Sequence, residues 1–179
     1  DAQYNTVGGT NAGDSFTGTD AEKNTLFGYD AGTAITTGDK NTAVGWSAGL
    51  KITTGYNNVF IGSNTGKEVT TGLENNLIGN GAGAALTTGN TNDAIGAYAL
   101  DAATTGYSNQ ALGRHALGGV TTGYFNVGIG YEAAKNITTG YKNVCIGQYS
   151  GYDLTTGLHN TCIGDYAGAN LSSDSSDNT

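Results

Sequence analysis

The sequence contains no proline and no methionine, only two cysteines, and charged residues make up just 12% of its 179 residues. Proline would remove a donor from a β ladder, so its absence favours extended, hydrogen-bonded backbone. Seven Lys and Arg against 15 Asp and Glu give a net charge of -8. That balance argues against nucleic acid as a partner, because few cations could neutralise phosphates. No apolar run approaches the roughly 18 residues of a membrane span, so we expect no membrane insertion.

Glycine is abundant instead, with 31 residues, and it belongs to a repeat with a period of 17. We number the repeat from its asparagine as position 1. Position 5 is then glycine and position 4 is apolar in nine successive units, and positions 13 and 14 are Thr-Thr in eight. The position-1 residues are Asn24, Asn41, Asn58, Asn75, Asn92, Asn109, Asn126, Asn143 and Asn160.

A 17-residue unit with glycine corners is too short for a helix pair or a four-stranded propeller blade. It fits one coil of a β-solenoid, in which equivalent residues of successive coils stack about 4.8 Å apart. We therefore predict an all-β fold, a β-solenoid (β-roll or β-helix) of about ten 17-residue coils that self-associates. The alternative, a disordered linker, does not explain apolar residues held at fixed repeat positions.

The predicted solenoid domain covers residues 5–171, with a degenerate first coil at 5–23 and regular coils from residue 24. Residues 1–4 form an N-terminal extension, and 172–179 form a polar, acidic tail that we interpret as a frayed terminus or a linker. Such slight caps leave head-to-tail stacking of coils open as a second mode of association. We expect the position-1 asparagines to form a ladder, with each amide bonding the next at a left-handed corner.

Positions 3 and 4 are neighbours on a strand, so they point to opposite faces. Position 4 is the bulkier and is predicted to lie inside, which leaves position 3 as an exposed apolar stripe. Such a stripe usually marks a protein contact, and we predict self-association along it. Two cysteines fall in adjacent coils of this stripe, either as free thiols or as a disulfide bridge. The predicted stripe consists of Leu26, Ala43, Phe60, Leu77, Ala94, Ala111, Cys145 and Cys162.

The unit N-T-x-I-G-x-x-A-G-x-x-x-T-T-G resembles the tandem repeats of phage tail fibres and bacterial surface fibres. The best copies are residues 41–55 and residues 160–168. More distantly, the N-x-x-I-G element is similar to the head repeats of trimeric autotransporter adhesins, which implies a β-roll closed as a homotrimer. The resemblance implies an extracellular, cell-surface or virion fibre.

Catalysis would need a cluster of ionisable residues, but the acids are scattered and His115 and His159 lie far apart in the sequence. We therefore expect no catalytic residues, no cofactor and no bound metal, with only a weak surface calcium site left open. The sequence favours a non-enzymatic fibre subunit that assembles as a homotrimeric shaft or a head-to-tail filament, with cell-surface glycans as a candidate adhesion partner. The alternative is an ice-binding solenoid that uses the threonine ladder.

Overall fold

Each repeat contributes one three-residue β-strand, and the strands stack in chain order into one parallel sheet. A computed structural model describes residues 3–16 and 20–179. The predicted β-solenoid is confirmed: within the described residues the fold is all-β and contains no helix. The strands are β1 (Thr6–Gly8), β2 (Thr25–Phe27), β3 (Thr42–Val44), β4 (Val59–Ile61), β5 (Asn76–Ile78), β6 (Asp93–Ile95), β7 (Gln110–Leu112), β8 (Val127–Ile129), β9 (Val144–Ile146) and β10 (Thr161–Ile163).

The strand register follows the sequence period. From β2 onward every residue pairs with the residue 17 positions later, as Thr25 pairs with Thr42. The longer first copy raises this separation to 19 between β1 and β2. Equivalent residues of all coils therefore form straight rows along the solenoid axis.

Backbone hydrogen bonds join the coils at several points of each repeat, and not in the sheet alone. The amide of Thr42 donates to the carbonyl of Asn58 at 2.8 Å. At the threonine pair, the amide of Thr53 donates to the carbonyl of Thr70 at 2.9 Å. Each coil is thus bonded to its neighbours along the axis even where the backbone is not a strand.

The position-1 asparagines form a buried ladder of hydrogen bonds. Asn92 is representative: its backbone N and its Nδ2 both donate to Oδ1 of Asn75 at 3.1 Å. Its Nδ2 also donates to the carbonyl of Gly106 within the same coil at 2.9 Å. The predicted corner is wrong by one residue, because the left-handed backbone lies at the residue before the asparagine, with φ of 53° at Thr91.

Glycine at position 5 is required by both conformation and space. Gly96 has φ of 140°, and a Cβ there would lie 2.5 Å from the carbonyl oxygen of Gly113 in the next coil. No L side chain fits such an approach without moving the backbone. Position 15 differs, because there the carbonyl of the next coil excludes a side chain while φ is not positive, as at Gly106.

The prediction that position 3 faces outward is wrong, because these side chains fill the solenoid core. The asparagine at position 1 must point inward to make its ladder, and side chains two residues apart on a strand share a face. Position 3 therefore points inward as well, and position 4 points outward. The residues that were predicted to be exposed but lie in the core are Leu26, Ala43, Phe60, Leu77, Ala94, Ala111, Cys145 and Cys162, all at most 5% exposed.

In the narrow core, the side-chain sizes at positions 3 and 9 compensate each other. Where position 3 is large, position 9 of the same coil and of the preceding coil is glycine: a Cβ at Gly66 or at Gly49 would lie 2.6 Å from the ring of Phe60. Position 9 holds Leu117 instead where position 3 is small, and a Cβ at Gly128 would lie 2.8 Å from Cγ of that leucine. Bulk at one position is therefore compensated by its absence at the other.

The acidic tail follows the path of one more coil, so the interpretation as a frayed terminus is wrong. The amide of Thr155 donates to the carbonyl of Ser173 at 2.8 Å. Asn160 Nδ2 donates to the carbonyl of Ser175 at 2.7 Å, and Asn178 Nδ2 donates to Oδ1 of Asn160 at 2.7 Å. The tail thereby adds one further rung to the asparagine ladder.

Replacing a central rung should destabilise the solenoid strongly. Asn109→Ala leaves the buried carbonyl of Gly123 and the backbone amide of Asn126 without their side-chain partners. We expect a loss of about 2 to 4 kcal/mol in the free energy of unfolding, measured by urea titration followed by circular dichroism. The control is Asn80→Ala, whose exposed amide makes one long hydrogen bond of 3.4 Å to the Ser63 carbonyl. Equal urea midpoints for the two variants would contradict the structural role of the ladder.

Candidate interaction surface

The outward side chains of the sheet form one continuous apolar row, which we call the outer rank. It contains the position-4 residue of each strand from β2 to β10. In the middle of the chain Ile95 is 44% exposed and Leu112 is 48% exposed. The outer rank consists of Phe27, Val44, Ile61, Ile78, Ile95, Leu112, Ile129, Ile146 and Ile163.

A shallow groove of about 660 Å³ runs between the outer rank and the position-2 side chains on the same face. Its apolar side includes Ile78 and Ile95, and its polar side includes Asn76 and Asp93. Asn76 Nδ2 donates to Oδ1 of Asp93 at 2.7 Å. Asp93 is the single charged residue at positions 2 and 4 of all ten copies, so the sequence keeps charge away from this face.

Three stacked rings at position 16 form a second row, the tyrosine ladder of Tyr107, Tyr124 and Tyr141. Ring centroids are 4.9 Å apart in the first pair and 4.8 Å apart in the second, with planes within 4° of parallel. Burial, and then the neighbouring tyrosines, raise the pKa of Tyr124. Because the faces of the middle ring are covered by its neighbours, this ladder offers edges and hydroxyls rather than open ring faces.

The paired threonines do not form two equivalent rows. At position 13 the hydroxyl is used internally, as Thr53 Oγ1 donates to the carbonyl of Thr70 at 3.2 Å. Position 14 is exposed, as at Thr88 and Thr105. One row of free hydroxyls therefore faces solvent, with a half-buried row beside it.

Both cysteines lie in the core as free thiols, which is one of the two alternatives that the sequence left open. Burial raises the pKa of Cys145 to about 12, and the neighbouring Cys162 thiol adds to the shift. Burial also raises the pKa of Cys162. The thiols pack as small apolar groups and take no part in the exposed surface.

A small ionic cluster occupies the turn beside β8. Glu132 is only 8% exposed, and Lys135 Nζ lies 3.1 Å from its Oε2. Burial raises the pKa of Glu132, but hydrogen bonds from Lys135 and Tyr131 outweigh it and hold the pKa below its usual value. His115 is half-buried and stacks on Tyr98 with ring centroids 5.2 Å apart, whereas His159 is exposed and lies in a different coil. Glu132 and Lys135 neutralise each other and fix the turn.

Among the described residues, no helix is long and apolar enough to cross a membrane. In the same part of the chain, no three His, Cys, Asp or Glu side chains converge where a metal ion could be held. No protein-family model matches the chain, and neither a curated protein nor a solved structure is detectably similar to it. The resemblance to fibre repeats therefore remains a prediction from the repeat residues.

Reactivity of the thiols tests the inward placement of position 3. With its pKa near 12, Cys145 carries roughly a thousandfold less thiolate than an exposed cysteine at the same pH. We expect iodoacetamide to modify the native protein very slowly, with Cys162 reacting before Cys145, and to modify both cysteines readily in urea. Mass spectrometry of the two peptides measures the rates. Rapid modification of Cys145 in the folded protein would show that position 3 faces outward after all.

Proposed function

We propose that this chain is a non-enzymatic structural subunit of an extracellular or virion fibre, and that it self-associates through the outer rank. The observation that carries the proposal is the continuous apolar row exposed along the sheet. A contiguous apolar surface of this length is rare on monomeric proteins and usually marks a protein contact. The proposal keeps the self-association that the sequence predicts and transfers it from position 3 to position 4.

A second copy of the chain is the partner that fits this surface best. The outer rank repeats once per coil on a rigid solenoid, and a partner that matches it over many coils needs the same spacing. Identical chains provide that match automatically through rotational symmetry.

The size of the face favours closure by more than two copies. The nine coils of the outer rank, at about 4.8 Å each and with a width of about 10 Å, give a face of about 430 Å². A stable dimer normally buries about 800 Å² on each partner. In a homotrimer with the three outer ranks turned toward a common axis, each chain would bury both flanks of its face against two neighbours as well, so the area buried per chain would exceed that of the face alone. This arrangement supports the shaft-like assembly over a simple pair.

A lysine on the outer rank should prevent assembly while leaving the coil intact. Ile95→Lys places a charge in the middle of the apolar row, where burial against a partner would be costly. We expect the wild-type chain to sediment as a trimer and Ile95→Lys to associate at least tenfold more weakly, in analytical ultracentrifugation. The matched control is Thr105→Lys, in the same coil but on the exposed threonine row. A monomeric wild-type chain, or equal weakening by both substitutions, would overturn the proposal.

Ice binding is the alternative function, and the exposed position-14 threonines are the observation in its favour. The position-13 hydroxyls are bonded to the backbone of the next coil, so the second row that a flat ice-binding surface would need is half-buried and satisfied. We therefore expect no thermal hysteresis at millimolar concentration. A measurable hysteresis that disappears in Thr88→Tyr but persists in Ile95→Lys would favour ice binding over the fibre.

A further inference from the structure

Three tyrosines surround a small cleft near the end of the solenoid that carries β10. Tyr149 and Tyr166 occupy position 7 of consecutive coils, with ring centroids 5.0 Å apart and planes inclined by 34°. Tyr152 meets Tyr149 edge-on, with centroids 5.5 Å apart and planes at 74°. The cleft has a volume of about 300 Å³, and its rim includes Asp153 and Asn170. We call it the tyrosine cleft.

The charged residue that lines the tyrosine cleft is negative. Asp153 is exposed on the rim and belongs to none of the ion pairs formed by the described residues. Burial raises the pKa of Tyr149, and the neighbouring Tyr131 and Glu132 add to the shift, so the unpaired Asp153 is the charge that a bound group would meet. A bound group would therefore gain from carrying positive charge.

Two other tyrosines of the chain hold cations: Tyr131, which contacts Tyr149, and Tyr141 in the tyrosine ladder. Arg114 Cζ lies 5.9 Å from the ring centroid of Tyr131, and Lys142 Nζ lies 5.9 Å from that of Tyr141. The rings of Tyr149, Tyr152 and Tyr166 have no such contact with a cationic side chain of the described residues. Tyr166 is exposed and the other two rings are half-buried, and all three line the cleft together with the unpaired Asp153.

From these observations we infer that the tyrosine cleft binds a quaternary ammonium group of the choline type. Several ring faces at different inclinations, together with a carboxylate, are the features that recognise such cations. A sugar ring would instead need one flat, open ring face, whereas these three rings are inclined to one another and partly cover one another. The volume admits a trimethylammonium group and leaves the rest of the ligand in solvent. The inference does not depend on self-association, so the two can fail separately.

The test uses choline chloride titrated into the full chain, observed by NMR shifts of tyrosine ring protons. The neutral isostere 3,3-dimethyl-1-butanol has the same shape without the charge, and methyl glucoside tests for a sugar. We expect saturable binding of choline and at least tenfold weaker binding of both other compounds. Cosedimentation with phosphatidylcholine vesicles then distinguishes a lipid headgroup from free choline as the source of the same chemistry.

Substitutions locate the site on the chain. Tyr166→Leu keeps an apolar side chain but removes a ring, and Asp153→Asn removes the charge; each should weaken choline binding about tenfold. Matched controls are Tyr124→Leu in the tyrosine ladder and Asp14→Asn in the first coil, which should leave binding unchanged. Equal binding of choline and its isostere, preference for the glucoside, absence of saturable choline binding, or equal effects of the control substitutions would each overturn the inference.

Discussion

The buried amide of the position-1 asparagine is the interaction on which the other features of this solenoid depend. Its Oδ1 accepts from the amide and side chain of the following coil, and its Nδ2 reaches a carbonyl within its own coil. One side chain therefore closes the coil and fixes its register with the next. Because the asparagine must point inward, the alternation of the strand decides which of positions 3 and 4 enters the core.

Much of the fold could be predicted because, in a strict repeat of 17 residues, the residues that stack on one another are those 17 positions apart. The choice of faces could not be decided from hydrophobicity, since positions 3 and 4 are both largely apolar. Size was a misleading criterion: the core accepts Ala94 and Gly128 at position 3, while Ile95 and Ile129 remain outside. The inward amide was the signal available in the sequence that would have decided the question.

Other features depend on contacts between coils that no single repeat reveals. Leucine at position 9 adopts the left-handed conformation at Leu100 and Leu117, with φ of 54° and 51°, where most copies have glycine. The small residues at position 3 of these coils make room for the leucines. The tail was equally hard to anticipate, because its sequence departs from the repeat and only Asn178 marks its place on the ladder. The tyrosine cleft also depends on aromatic residues at position 7 of two consecutive coils and at position 10 of the first of them.

Association through the outer rank is separable from folding. The single chain exposes 7321 Å², somewhat less than the roughly 8,100 Å² expected for a monomeric globular protein of its mass. Ladders of backbone and asparagine hydrogen bonds, together with a filled core, thus bury as much surface as an ordinary domain without any partner. The apolar outer rank contributes little to that burial, so its uninterrupted length is not explained by the stability of the monomer. A contact with further copies gives the outer rank a role that folding alone does not require.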